Sequence, residues 1–186
     1  QTCEGCNTYN MLKLTRRLYG WRPEGALFDY YERAHLNHIL AQQDPRTGMF
    51  TYMTPLMSGV KREFSDPTDS FWCCVGSGME SHAKHGDSIW WQGDDTLFVN
   101  LFIPSRLSWK ERDAEIELTT RYPYEGTIQL KLARLRKPGR FAIGVRVPGW
   151  GRSAALTVNG KPADPVREAG YAVIRRRWRS GDSVAL

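Results

Sequence analysis

Apolar positions change period once along this chain: to about residue 91 they recur every three or four residues, and from Thr96 they alternate. Asn7 or Thr8 is placed to cap a helix through Tyr9, Leu12 and Tyr19, with Gly20 at its end. Pro23 and Glu24 suit the start of a second helix, whose stripe is Leu27, Tyr31, Ala34 and His38. Asp44-Pro45-Arg46-Thr47-Gly48 reads as a turn, Met49 to Leu56 as a short extended segment and Ser58 to Ser70 as a polar loop. Phe71-Trp72-Cys73-Cys74 comes next, and then a third helix from Ser77 to Ser88 that ends in Trp90 and Trp91.

Leu97 to Ile103 opens the second half as an apolar run that stops at Pro104. Ile116 and Leu118 alternate with Glu115, Glu117 and Thr119; Ile128, Leu130 and Leu132 share one face; Phe141, Ile143, Val145 and Val147 repeat the pattern. Leu156-Thr157-Val158 runs into Asn159-Gly160, a strong hairpin signal. With Tyr171 to Trp178 and Ser183 to Leu186 this makes about seven short strands, the pattern of an antiparallel sandwich. Two or three amphipathic helices cannot bury a wide apolar face alone. The expected architecture is α+β: residues 1–91 as the end of a larger helical array, and residues 92–186 as an antiparallel β-sandwich, itself incomplete. The start at Gln1 and the end inside a strand pattern point to a piece of a longer protein.

Composition agrees with a globular chain: of 186 residues, 41% are hydrophobic and 12% aromatic, which excludes disordered and collagen-like classes. No run of roughly 18 apolar residues exists to cross a bilayer, so no membrane partner is expected. Lys+Arg 26 against Asp+Glu 20 leaves a net charge of +6. The clusters Arg134-Leu135-Arg136-Lys137 and Arg175-Arg176-Arg177-Trp178-Arg179 raise the question of nucleic acid. They sit in or beside strand alternation, with no nucleic-acid-binding signature, and read instead as solvated sheet faces; no nucleic-acid partner is expected.

The chemistry is concentrated in Cys3, Cys6, Cys73 and Cys74. A disulfide framework suits shorter chains with dispersed cysteines. Two tight pairs look like two edges of one metal site. Glu4, Cys6, Cys73 and Cys74 offer a carboxylate and three thiols, a set that zinc accepts, and zinc would keep such thiols ionised as nucleophiles. On spacing alone a closed structural site of all four cysteines is the commoner arrangement, and four buried thiols without metal is another. His82 and His85 read as structural or as supports of a metal ligand. Trp72, Trp90 and Trp91 suit core at the junction of the halves better than a sugar platform. Reduced thiols suit a cytosol and metal-bound ones survive in a periplasm, so cysteine usage leaves both compartments open.

Glu4-Gly5-Cys6-Asn7-Thr8-Tyr9-Asn10-Met11-Leu12-Lys13-Leu14 resembles the E-x-C-x-x-Y-N-M-L-K-L segment of the β-L-arabinofuranosidases of glycoside hydrolase families 127 and 146. Tyr31-Glu32-Arg33-Ala34, Phe50 to Leu56 and Phe71 to Glu80 resemble later blocks in the same order, and Val158-Asn159-Gly160, Gly170-Tyr171, Arg177-Trp178 and Gly181-Asp182 extend the likeness into the second half. The resemblance implies an (α/α)6 barrel followed by a β-sandwich. It also implies a retaining zinc-thiolate exo-glycosidase that acts on L-arabinofuranose-containing glycans through a thioglycosyl intermediate. Glu4, Cys6, Cys73 and Cys74 fall on zinc ligands, Cys73 on the nucleophile, and Glu32 and Tyr52 on positions that bind the sugar or orient the nucleophile. The general acid/base glutamate of such enzymes precedes the E-x-C segment, so the isolated chain is expected to be inactive. Cys3 is an extra thiol and a rival to Glu4 as ligand; Glu4 is preferred, because Cys3 lies outside the matched segment. From the residues themselves a non-catalytic, zinc-stapled helical unit with a sugar-binding or interaction sandwich remains the alternative, as does the same mechanism on another sugar.

Overall fold

The computed structural model describes residues 2–151 and 154–186. They form two compact units, one of residues up to Pro23 with Leu27–His85, the other of Glu24–Ala26 with residues from Gly86 onward.

The first unit contains β1 (Thr2–Glu4), α1 (Gly5–Trp21), most of α2 (Gly25–Ala34), β2 (Met53–Pro55) and α3 (Cys73–Ala83). α1 starts at Gly5, ahead of the expected caps Asn7 and Thr8. Glu4 occupies the capping position in extended backbone, and no side chain caps the helix. The β1–β2 ladder, which pairs Glu4 with Met53, sets the start instead. A tertiary pairing here overrides local capping preference. α2 buries Phe28, Tyr31 and Glu32, and the π-helical turn that continues it, His35–Ile39, buries His35, His38 and Ile39, while Leu27 and Ala34 of the expected stripe are only half-buried. Leu27 and Ala34 precede that turn and flank the buried face, and a 3₁₀ turn at Leu40–Gln42 follows it. α3 begins at Cys73 rather than Ser77, directly after Trp72 in extended backbone. Its glycines weaken the sequence signal, but a Cβ on Gly78 would lie 2.5 Å from the Phe50 ring, so packing requires the glycine that propensity disfavours.

Three histidines join these elements in a line. His35 Nε2 lies 2.8 Å from His85 Nδ1, His85 Nε2 3.0 Å from His82 Nδ1, and His82 Nε2 3.1 Å from Ile39 O. The Ile39 carbonyl can only accept, so His82 donates through Nε2, and the same polarity passes back through His85 to His35. All three rings are neutral Nε2–H tautomers, and burial pushes each below the ordinary histidine range, His35 to about 4.

The second unit contains β3 (Trp90–Gln92), β4 (Thr96–Val99), β5 (Ser105–Trp109), β6 (Ala114–Thr120), β7 (Ile128–Leu135) and β8 (Gly139–Arg146). It continues with β9 (Leu156–Val158), β10 (Lys161–Ala163), β11 (Val166–Glu168), β12 (Tyr171–Trp178) and β13 (Ser183–Ala185). The sheet orders are β10-β9-β13-β7-β6-β5 and β11-β12-β8-β4-β3. They face each other through Trp109 against Phe141, centroids 5.2 Å apart, and through Trp109 Nε1 donating to Gln92 Oε1 at 3.0 Å. Two expectations change. There are more strands than about seven, and the second sheet is mixed, because β4 and β8 run parallel. Between them the chain makes β5, β6 and β7 in the other sheet, three strands and so an even number of reversals, which returns β8 in the direction of β4. Ile116, Leu118, Ile128, Leu130 and Leu132 are buried as their alternation requires, whereas β8 is buried on both faces from Phe141 to Arg146. Asn159 and Gly160 both have positive φ, at 53° and 74°, as a two-residue type I′ hairpin needs. The arginine clusters lie on exposed sheet faces among carboxylates; Arg134 pairs with Asp113 at 2.7 Å and Glu115 at 3.1 Å, and Arg175 pairs with Asp95. Among the described residues no helix is long and apolar enough to cross a membrane.

The histidine line makes the first unit acid-sensitive. An unfolded His35 takes up its proton near 6.5 and the folded one only near 4, so the unfolded state binds more protons between these values. Thermal midpoints of the full-length protein carrying this chain should be level above pH 6.5 and fall as pH drops towards 5. A profile that stays level to pH 5 would contradict the neutral line.

Candidate metal centre

Cys6 sits in the first turn of α1, and Cys73 and Cys74 open α3. Both helix starts present unpaired N–H groups and the positive end of the helix dipole, which favour thiolate sulfur. Cys6 N–H uses one of these groups to donate to Cys74 Sγ at 3.4 Å. Glu4 ends β1 just before α1, and Gly5 N–H donates to Tyr52 O at 3.3 Å, which brings the segment of Tyr52 alongside.

These elements gather Glu4, Cys6, Cys73 and Cys74 so that one ligand atom from each lies within 4.8 Å of all the others. Cys6 Sγ is 3.1 Å from Glu4 Oε1 and 3.5 Å from Cys73 Sγ, and Cys73 Sγ is 3.9 Å from Cys74 Sγ. All four cysteines are free thiols. Cys74 is buried, Cys6 and Glu4 are half-buried, and Cys73 is exposed. Burial, reinforced for Cys6 by the Glu4 carboxylate, pushes the Cys6 and Cys74 thiols up. The Tyr52 hydroxyl, 3.6 Å from Cys73 Sγ, and then Cys6 hold the Cys73 thiol below its ordinary value; the same contact pushes Tyr52 up. Three sulfurs and a carboxylate oxygen at these separations could hold a metal ion.

The other expected positions fall as follows. Tyr52 joins the cluster through Cys73, with its ring against Trp72 at 5.8 Å. Glu32 lies outside the four-residue group but is only 6% exposed, so it is not the solvated helix acid that its spacing suggests. Cys3 also lies outside: its Sγ is 3.2 Å from His38 Nδ1, and His38 Nδ1 is 2.8 Å from Thr8 Oγ1. His82 and His85 form the histidine line rather than a ligand pair. Trp90 and Trp91 belong to β3 in the second unit, where Trp90 Nε1 donates to Ser105 Oγ. Gln42, buried among the segments that carry the cluster, was not foreseen; a glutamine after a helical stripe gives no sequence signal.

Two family models match, the β-L-arabinofuranosidase GH127 catalytic domain over residues 1–87 and the GH127 middle domain over residues 96–186. Among solved structures, a GH127 β-L-arabinofuranosidase from Geobacillus stearothermophilus T6 is 30% identical, with a TM-score of 0.84 over 99% of this chain and 31% of that one. A GH127 β-arabinofuranosidase at 24% identity (TM-score 0.87, 99% of this chain, 32% of that) and a glycoside hydrolase at 24% (TM-score 0.84, 98% and 32%) share the fold. The chain thus spans about a third of the length of the solved structures it matches. No curated protein matches it. With both halves matched by models of one family, the chain belongs to the GH127 β-L-arabinofuranosidases.

Proposed function

We propose that this chain is the metal-binding part of a retaining zinc-thiolate exo-glycosidase that hydrolyses β-L-arabinofuranosides with Cys73 as nucleophile. The observation that carries the reading is one exposed thiol, Cys73, held against two further sulfurs, a carboxylate and a tyrosine hydroxyl. The donor set fits zinc: a tetrahedron with Zn–S bonds of about 2.3 Å has an edge of about 3.8 Å. The sulfur separations of 3.5 and 3.9 Å bracket that edge. Glu4, Cys6, Cys73 and Cys74 would hold the ion. When bound, it supplies a positive charge that keeps the thiols ionised at neutral pH and makes sulfur a better leaving group.

Cys73 is the thiol that solvent, and therefore a sugar, can reach. Its Sγ bonds to the anomeric carbon as the bond to the aglycone oxygen breaks, and a general acid protonates that oxygen. Water, giving a proton to the conjugate base of that acid, then attacks the same carbon from the opposite side, the C–S bond breaks, and two inversions give net retention. Tyr52 orients the sulfur through its hydroxyl, and Glu32, buried in α2, is assigned to the sugar hydroxyls. The acid/base glutamate corresponds to no residue of this chain. We assign the helical part of residues 1–91 to the C-terminal part of an (α/α)6 barrel and residues 92–186, with β3 joined to their sheet, to a β-sandwich. Met11, Leu14, Leu18 and Trp21 support the first assignment, since they form an exposed apolar stripe along α1 of the kind that neighbouring barrel helices cover.

In the full-length protein Cys73→Ser should lower kcat by at least about a thousandfold. A β-L-arabinofuranosyl electrophile should add one sugar mass to the peptide containing Cys73; an adduct elsewhere would reassign the nucleophile. Chelation should abolish turnover and Zn²⁺ restore it at one ion per chain, whereas full activity in metal-free protein would refute the zinc-thiolate reading. Residues 1–186 alone should show no turnover.

A further inference from the structure

Glu4-Gly5-Cys6, Thr51-Tyr52 and Cys73-Cys74 come from three separate stretches of chain, and one side chain touches all three. Gln42, 1% exposed, lies in the 3₁₀ turn after the π-helical segment. Its Nε2 donates to Cys74 O at 3.1 Å and to Thr51 O at 3.4 Å. Thr51 N–H donates back to Gln42 O at 2.9 Å, so the two backbones are joined as well. On its third side the amide packs on Gly5: a Cβ there would be 2.1 Å from Nε2 and 2.6 Å from Cδ, so any other residue between Glu4 and Cys6 would push the amide off its two carbonyl partners.

We infer that Gln42 is the positioning residue of the metal centre, fixing the mutual spacing of the three ligand-bearing segments; this rests on the metal-centre reading above. Two N–H groups on a single nitrogen are what the role needs. Glutamate would set a carboxylate against two carbonyl oxygens, methionine would fill the space without donating, and asparagine would fall short by one methylene. Groups that orient metal ligands commonly change affinity by roughly 10–100-fold when removed, without contacting the ion.

The test uses the full-length protein and Zn²⁺ alone, with affinity read by competition against a chromophoric chelator and the thermal midpoint of the metal-free protein read beside it. Gln42→Met and Gln42→Glu should each weaken Zn²⁺ binding at least about tenfold. Stoichiometry should stay at one ion and kcat should fall more than KM rises; the metal-free midpoint falls as well, because two buried carbonyls lose their donor, so affinity is read on the folded fraction. A merely structural residue would lower the midpoint and leave the affinity of the folded fraction intact. Wild-type affinity and kcat in both folded variants would overturn the inference, whereas a wild-type protein that takes up no Zn²⁺ would overturn the metal centre itself. Should neither variant fold, the wild-type side-chain amide decides: the Gln42 N–H protons must exchange slowly and shift on Zn²⁺ addition, and fast exchange would refute the assignment.

Discussion

Four acidic groups brought within 4.8 Å of one another are the constraint on which the first unit is built. Each can ionise alone, but not all four at such separations without a cation among them. The protonation preferences express this conflict: without an ion, Cys6 and Cys74 are driven towards the neutral thiol, and Cys73, beside a hydroxyl, is driven the other way. A soft divalent ion would resolve the conflict by supplying the missing charge. Helix starts relieve part of it beforehand, since all three sulfurs lie in first turns, where N–H groups are unpaired.

The surrounding fold serves to hold that arrangement. A three-residue ladder fixes the direction in which α1 leaves β1, packing of Gly78 on Phe50 seats α3, and the histidine line joins α3 to the π-helical segment through neutral rings. These contacts are short-range and either polar or sterically strict in their demands, so they specify position more than they add stability. Meanwhile Cys73 remains the exposed edge of a cluster whose other members are half-buried or buried.

The convergence of the two cysteine pairs was legible because cysteine carries its chemistry in its identity, but spacing favoured a group of all four cysteines, and Glu4 in place of Cys3 came only from the family resemblance. The hairpin at Asn159-Gly160 and the faces of β6 and β7 were legible because turn residues and period-two burial act locally. The start of α3 was not, because a Cys-Cys-Val-Gly-Ser-Gly stretch has low helical propensity and the need for its glycine arises only from Phe50, more than twenty residues earlier. β5 and β11 were missed for a related reason. Val166–Glu168 is exposed at every position, and Ser105–Trp109 alternates between half-buried and exposed until Trp109. The parallel pairing of β4 and β8 depends on how many strands intervene in the other sheet, a count that no local pattern contains. Gln42 and the histidine line act through partners far along the chain, so their residue types alone gave nothing away.

Cys3 shows how much turns on a single short strand. By composition it is as good a ligand as Cys6 and better than Glu4 for a soft ion. Yet β1 includes both Cys3 and Glu4, and successive residues of a strand project to opposite faces. If Glu4 points towards Cys6, Cys3 must point away, and it meets His38 and Thr8 instead. Pairing with β2 makes this alternation rigid, because a one-residue slip would exchange the two side chains and also displace Gly5 from Gln42. Backbone register, rather than intrinsic affinity, therefore puts the carboxylate and not the thiol in the four-residue cluster, and the same register sets Gly5 against the Gln42 amide between the two cluster residues of that segment.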